Sequence, residues 1–293
     1  MRNPFNMKHI FGTVLLVLFA TSLCAQTPEG HLTHGPRKGT LIAIGGGGND
    51  LLIMKEFGKY AGGDDARIVV IPTALSDDDM QEDSSFSEIK RSLELAGMKG
   101  VTILHTRDTA RANDEEFIAP LKTATGLFFS GGRQWRIADG FLHTRAHEEM
   151  FSLLDRGGVI AGTSAGATIQ GSYLARGDTR NNQIMMGDHE SGLSFITHIA
   201  IDQHVLARNR QFDMFDILKN RPELLGVGID ENTAIVVQAD TLEVIGKSYV
   251  LLYDGSFWSR EGSDLKHLPE DDALFYFLRA GDRYDLAERK IME

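Results

Sequence analysis

Short apolar runs separated by segments of helical period dominate the first half of the chain. The runs are Gly39-Thr40-Leu41-Ile42-Ala43-Ile44, Ile68 to Ile71 within Arg67–Ala74, Val101 to Leu104, Gly126 to Phe129, and Gly158 to Ala161. Helices are predicted over Leu51–Tyr60, over Ser85–Ala96, where Ile89, Leu93 and Ala96 recur at helical spacing, over Glu115–Thr123, and over a stretch holding His143, His147 and Glu148. Strands that are apolar throughout, alternating with helices, predict a parallel sheet covered on both faces. Sites in such sheets lie at the carboxyl ends of the strands.

The second half reads differently. An irregular polar stretch, Arg176 to Ser191, precedes a strand over Phe195–Asp202, a helix from about Arg210 to Leu218, and a strand over Leu225–Ile229. Ala234–Val237, Leu242–Ile245 and Tyr249–Leu252 then read as an antiparallel meander, and the tail from Asp271 to Met292 as an edge strand or helix. The expected fold class is therefore α/β with a C-terminal antiparallel extension.

The N-terminus changes the domain picture. Arg2 and Lys8 flank an apolar run from Ile10 to Leu23, and Leu23-Cys24-Ala25 offers a cleavage site, so residues 1–25 read as a signal peptide. The run is too short for a membrane anchor, which implies no stable membrane insertion after cleavage and a secreted or periplasmic product. Residues 26–38 read as a flexible lead-in and 39–293 as one α/β hydrolytic domain. Cys24 is the only cysteine, so the mature chain relies on a large core rather than disulfides. The full chain's charge of −11, from 30 Lys and Arg against 41 Asp and Glu, becomes two units more negative in the mature chain, without Arg2 and Lys8. That excludes nucleic acid as a partner, which demands a basic footprint.

Several motifs fail on inspection. Gly45-Gly46-Gly47-Gly48-Asn49-Asp50 precedes a helix as a phosphate loop would, but Asp50 stands where the dinucleotide pattern needs its third glycine. Gly246-Lys247-Ser248 fails as a P-loop because Thr241 replaces the first glycine. Ser76-Asp77-Asp78-Asp79 reads as a solvated helix entry. His143 and His147 share a helix turn with no third ligand in register, so a surface helix is expected and neither a metal nor a cofactor is called for.

One stretch survives. Gly158-Val159-Ile160-Ala161-Gly162-Thr163-Ser164-Ala165-Gly166-Ala167 reads as strand, sharp turn and helix start. The G-x-S-x-G turn exposes a serine at the sheet edge, and the Ala165 N–H points where an oxyanion forms. A serine nucleophile needs a base and an orienting partner. Of His189, His198, His204 and His267, His204 is best placed, directly after a strand. Glu231 follows another strand end, with Asp202, Asp230 and Asp178 as rivals that spacing does not separate. A second oxyanion donor is expected on the Ser130–Gln134 loop, where Gly131 and Gly132 permit close approach.

Gly162-Thr-Ser164-Ala-Gly166, Phe129-Ser130-Gly131-Gly132-x-Gln134, Asp202-Gln203-His204 followed by Arg208 and Arg210, and Gly226-Val-Gly228-Ile-Asp230-Glu231-x-Thr233-Ala234 together resemble cyanophycinase and its relatives, a serine peptidase family that includes aspartyl dipeptidases. The resemblance spans about Gly39 to Tyr253. It implies a flavodoxin-like fold related to class I glutamine amidotransferases, with Ser164 as nucleophile, His204 as base and Glu231 as third member; the elbow and the second glycine loop, read for themselves, offer Ala165 and Gly132 as oxyanion donors. It also implies substrate contacts from Gln134, Gln203, Arg208 and Arg210, a homodimer, and a cyanophycin-like polymer of aspartate carrying arginine, cut to β-aspartyl-arginine. Two positions depart from the family. Arg133 replaces an acid in the Gly-Gly-Asp-Gln loop, and Asp213 stands where a third arginine is usual, where it is expected to weaken binding of an anionic backbone. Two alternatives stay open: a dipeptidase or isopeptidase for other Asp-containing peptides, and a catalytically inactive binding protein on the same fold.

Overall fold

Alternation along the apolar runs builds the core. In β1 (Thr40–Ile44), Leu41 and Ala43 join one buried cluster and Ile42 and Ile44 another. The same division separates Val69 and Ile71 from Ile68 and Val70 in β2 (Arg67–Ile71), and Leu127 and Phe129 from Phe128 in β4 (Gly126–Phe129). A strand buries both faces only if each is covered. Helices α1 (Leu51–Tyr60) and α3 (Asp83–Leu95) cover one face through Ile53, Met54, Phe57 and Leu93. Helices α5 (Glu115–Thr123), α6 (Gln134–Phe141) and α7 (Arg145–Asp155) cover the other through Ile118, Leu121, Ile137, Phe141, Met150 and Leu153. Short α2 (Asp77–Gln81) and α4 (Thr109–Ala112) complete the crossovers.

The computed structural model describes residues 33–48, 50–81, 83–260 and 274–293; the signal segment 1–25, the first part of the lead-in, Asn49 and the head of the tail lie outside them. Among the described residues, the strands form a nine-stranded and a four-stranded sheet. In the larger, β1, β5 (Val159–Thr163), β4, β2 and β3 (Gly100–Ile103) run parallel in that spatial order. This is the expected doubly wound, flavodoxin-like α/β arrangement. The chain leaves β2 toward β3 on one side and returns to β4 on the other, so the topological switch point lies between β2 and β4. Beyond β1 the sheet continues antiparallel through β8 (Thr233–Gln238), β9 (Thr241–Gly246), β12 (Arg283–Asp285) and β13 (Lys290–Met292). The second sheet pairs β6 (Ile199–Gln203) with β7 (Leu225–Ile229) in parallel, then β10 (Tyr249–Tyr253) and β11 (Tyr276–Arg279) antiparallel.

Several expectations need correction. The meander does not form: β8 and β9 make a hairpin, but β10 leaves for the other sheet. Gly246 turns at φ +113°, Ser248 is held by Thr233 and Asp230, and Tyr249 O accepts from Asp230 N, which seats β10 on β7. Ser76–Asp79 is a helix entry as expected, but of a separate short helix, α2, where Ser76 and Asp79 bond each other reciprocally as in a capping box. His143 and His147 do not share a helix, because Thr144 caps a new one at α7 and leaves His143 in the break at φ 60°. The strand expected over Phe195–Asp202 begins only at Ile199, and the helix expected from Arg210 is α9 (Met214–Leu218). The tail forms strands. Among the described residues, no helix is long and apolar enough to cross a membrane.

Candidate active site

Between β5 and the short helix α8 (Ala165–Thr168), Ser164 sits at φ 55°, ψ −112°, a region costly for a residue with a Cβ. The surroundings enforce it. The Ser164 N–H donates to Ile44 O of β1 at 2.9 Å. A Cβ on Gly162 would lie 2.2 Å from Gly166 O, and one on Gly166 2.4 Å from Phe129 O, so the turn closes only with glycine at both positions. The half-buried Ser164 hydroxyl therefore stands at the carboxyl edge of the parallel sheet.

His204 follows β6 directly, itself at φ 54°, with its N–H bonded to Gly45 O at 2.9 Å. Its Nε2 lies 2.9 Å from Ser164 Oγ and its Nδ1 2.6 Å from Glu231 Oε1. An ionised carboxylate only accepts, so Nδ1 carries the proton and Nε2 is free to accept from the serine. Burial pushes the His204 imidazole below its ordinary value of 6.5, Glu231 opposes that, and Arg208 and Arg210 add to it. A hydroxyl donating to a neutral imidazole that donates to a carboxylate is the arrangement that activates a serine for attack.

The three rivals of Glu231 are engaged elsewhere. Asp230 accepts from Leu206 N, Ala207 N and Ser248 Oγ, fixing the turn after His204. Asp178 binds Arg180, and Asp202 takes a two-toothed contact from Arg176 at 2.7 and 2.9 Å. The first glycine loop is the scaffold of the His–Glu pair. A Cβ on Gly46 would fall 2.1 Å from His204 Cε1 and one on Gly47 2.7 Å from Glu231 Cβ. Gly46 O accepts from Asn232 N, so one loop is tied to both partners.

The second glycine loop approaches from β4. Gly131 abuts the serine, its would-be Cβ 3.9 Å from Ser164 Oγ. Ser130 Oγ donates to Gly131 O at 3.1 Å. In a planar trans peptide the carbonyl and the following N–H point oppositely, so the Gly132 N–H leaves on the side away from Ser130. The Ala165 N–H, at the first position of α8, has no intrahelical acceptor.

The expected substrate contacts divide. Arg208 is exposed and close enough to His204 to act on its charge. Arg210 is buried and donates to Gln203 O and Oε1, both at 3.3 Å. Gln134 turns inward, its amide donating to Ala175 O at 2.7 Å and Arg176 O at 3.0 Å, which anchors the loop after α8. Sequence reasoning missed the hub of that loop. Arg176, fully buried at φ 58°, joins Asp202, Asp213 Oδ2 at 2.6 Å and Asn182 O at 2.9 Å. Asp213 is thus matched by an arginine from another loop, which alters the expectation of a bare carboxylate repelling an anionic substrate. The only available signal was an arginine inside a polar, structureless stretch. Among the described residues, no group of three or more His, Cys, Asp or Glu side chains is arranged to hold a metal.

The pattern of peptidase family S51 matches residues 41–245, a span that contains Ser164, His204 and Glu231. The chain is 32% identical over 265 residues to the cyanophycinase of Geminocystis herdmanii, covering 85% of this chain and 94% of that protein. It is 31% identical over 271 residues to the cyanophycinase of Synechococcus elongatus, covering 88% and 82%. A crystal structure of a peptidase from an acI-B1 actinobacterium shares the fold, with a TM-score of 0.63 at 22% identity, over 86% of this chain and 98% of that one. Motif, sequence and fold agree, and the chain belongs to peptidase family S51 and is a peptidase.

Proposed function

We propose that this chain is an exported serine peptidase that cuts aspartyl peptide bonds in cyanophycin-like polymers through an acyl-enzyme, releasing β-aspartyl-arginine. The observation that carries the mechanism is the unbroken hydrogen-bond chain from Ser164 Oγ through His204 to Glu231, on an elbow at the sheet edge. Ser164 attacks the scissile carbonyl while His204 Nε2 takes its proton, and Glu231 stabilises the imidazolium that forms. The N–H groups of Ala165 and Gly132 receive the oxyanion. His204 then protonates the leaving amine, and a water, deprotonated by the same imidazole, hydrolyses the ester.

The substrate reading is supported by the cyanophycinases among the relatives and by Arg208, Arg210 and Gln203 beside the base. Export is supported by the composition of residues 1–25 alone. Incubation of the purified chain with cyanophycin should release β-aspartyl-arginine. Cleavage of β-linked or α-linked aspartyl peptides without action on the polymer selects instead a dipeptidase or isopeptidase, a reading favoured by the departure at Arg133. No turnover of either class rejects the proposal.

A further inference from the structure

The mechanism leaves a group of guanidiniums beside the second glycine loop without a role. Arg133 is the N-cap of α6, a position that favours Ser, Thr, Asp or Asn, and its side chain makes no capping bond. A cation there stands at the positive end of the helix, and the first turn contains no acid to offset it. One helical turn on, Arg136 donates to Ala74 O at 3.0 Å and lies over the Trp135 ring, 5.3 Å from its centre. Arg107 donates to Leu75 O at 2.6 Å in the same turn.

These cations are unevenly matched. Arg107 has Asp77 as its partner. Among the described residues neither Arg133 nor Arg136 pairs with a carboxylate: the Arg133 guanidinium donates to the backbone oxygen of Asp178, and its Nε is buried with no acceptor. Burial disfavours the charge of Arg136, as do Arg107 and Arg133, while Asp77 and Asp79 oppose this. A protein of net charge −11 has placed mutually repelling cations at a helix start, and such a breach of local rules is expected at functional sites.

The location is the second observation. Ala74 O also accepts from Arg133 N at 2.8 Å, and a Cβ on Gly132 would meet it at 2.1 Å. Arg133 is thus fixed two residues from Gly131, which abuts Ser164, and the patch lies at the carboxyl ends of β2 and β4. That is the switch point, where open α/β sheets take their ligands. Gly132 is exposed and Arg133, Trp135 and Arg136 are half-buried, so the patch opens to solvent.

We infer that Arg133 and Arg136, with the uncapped N-terminus of α6, form a carboxylate subsite beside the oxyanion loop, and that it selects aspartyl substrates whose side group ends in a free carboxylate. Guanidinium forks and helix N–H groups both match that group. The inference rests on the peptidase reading above. An arginine linked through its amine and a simple amino acid such as alanine both offer the carboxylate, so a guanidinium on the side group is neither required nor sufficient.

The test uses four substrates, each two aspartates joined by the scissile backbone peptide bond and carrying arginine, alanine, alaninamide or agmatine on their β-carboxyls, and compares kcat/KM in the parent chain and in Arg133→Gln, Arg133→Lys and Arg133→Glu. In the parent, arginine and alanine should be cut comparably, and alaninamide and agmatine on the order of 10- to 100-fold less well. Arg133→Gln should abolish that discrimination while still cutting the neutral substrate, Arg133→Lys should restore part of it, and Arg133→Glu should favour agmatine. Discrimination unchanged in Arg133→Gln, or a guanidinium required by the parent, overturns the subsite while leaving the peptidase reading intact. Failure of a folded parent chain to cut any of the four, or cyanophycin, or a plain α-linked or β-linked aspartyl peptide, overturns the peptidase reading itself. If Arg133→Gln loses fold, judged by its thermal midpoint, Arg136→Gln supplies the same comparison.

Discussion

The two glycine loops flanking Ser164 have similar composition and opposite surroundings. Gly45–Gly47 packs against protein: the backbone of Asp230, the His204 ring, Glu231 Cβ and Asn232 fill the space where its side chains would be. Ser130–Gly132 faces the serine on one side and leads into unmatched guanidiniums on the other. The first loop positions the imidazole and carboxylate of the proposed triad, and the second carries the cations of the inferred subsite. Glycine content alone does not distinguish them; what the missing side chains would strike does.

Breaking the first side of that comparison should have the larger effects. Glu231→Gln retains the shape but lets the imidazole adopt the wrong tautomer, and kcat should fall by about 10²- to 10⁴-fold with the thermal midpoint little changed. Gly46→Ala forces a Cβ into His204 at a positive φ, and should lower kcat about 100-fold through displacement of the ring. By contrast Gly131→Ala meets Ser164 Cβ only at 3.4 Å, and should lower kcat/KM about tenfold at most. Equal losses from the two alanine variants, measured under the same conditions, would contradict the assignment of different tasks.

The smallest effect concerns pH. His204 works as a base when neutral, and burial lowers its proton affinity against the pull of Glu231. A depressed value means the imidazole is still neutral at pH values where an ordinary histidine is half protonated. The acidic limb of kcat/KM should therefore fall below pH 6.5, the ordinary histidine value. Removing Glu231 removes a group that favours the imidazolium, so residual activity in Glu231→Gln should show a limb at still lower pH. A parent limb above 6.5 contradicts the ordering of these influences.

Much of this was legible in the sequence because it is local. The period of the apolar runs gave the parallel sheet, and the elbow requires small residues at fixed offsets, so Ser164 stood out. His204 and Glu231 could be located at strand ends, but four carboxylates competed until the backbone turned only Glu231 toward the imidazole and tied Asp202, Asp230 and Asp178 to other partners. Arg176 was hidden because its meaning depends on Asp202 and Asp213, 26 and 37 residues away in sequence. The departure of β10 from its hairpin was hidden for the same reason: Ser248 is redirected by Asp230, which no pattern in the β9–β10 stretch announces.

The central claim is that Ser164 is an activated nucleophile. Mass spectrometry after reaction with a fluorophosphonate, on the parent chain, Ser164→Ala and His204→Gln, together with turnover of an aspartyl peptide, tests it most directly. The account predicts one adduct, on Ser164, in the parent, slowed by at least about 100-fold in His204→Gln, with no adduct and no turnover in a folded Ser164→Ala. Turnover retained in Ser164→Ala, or labelling of the parent at another residue, would contradict it.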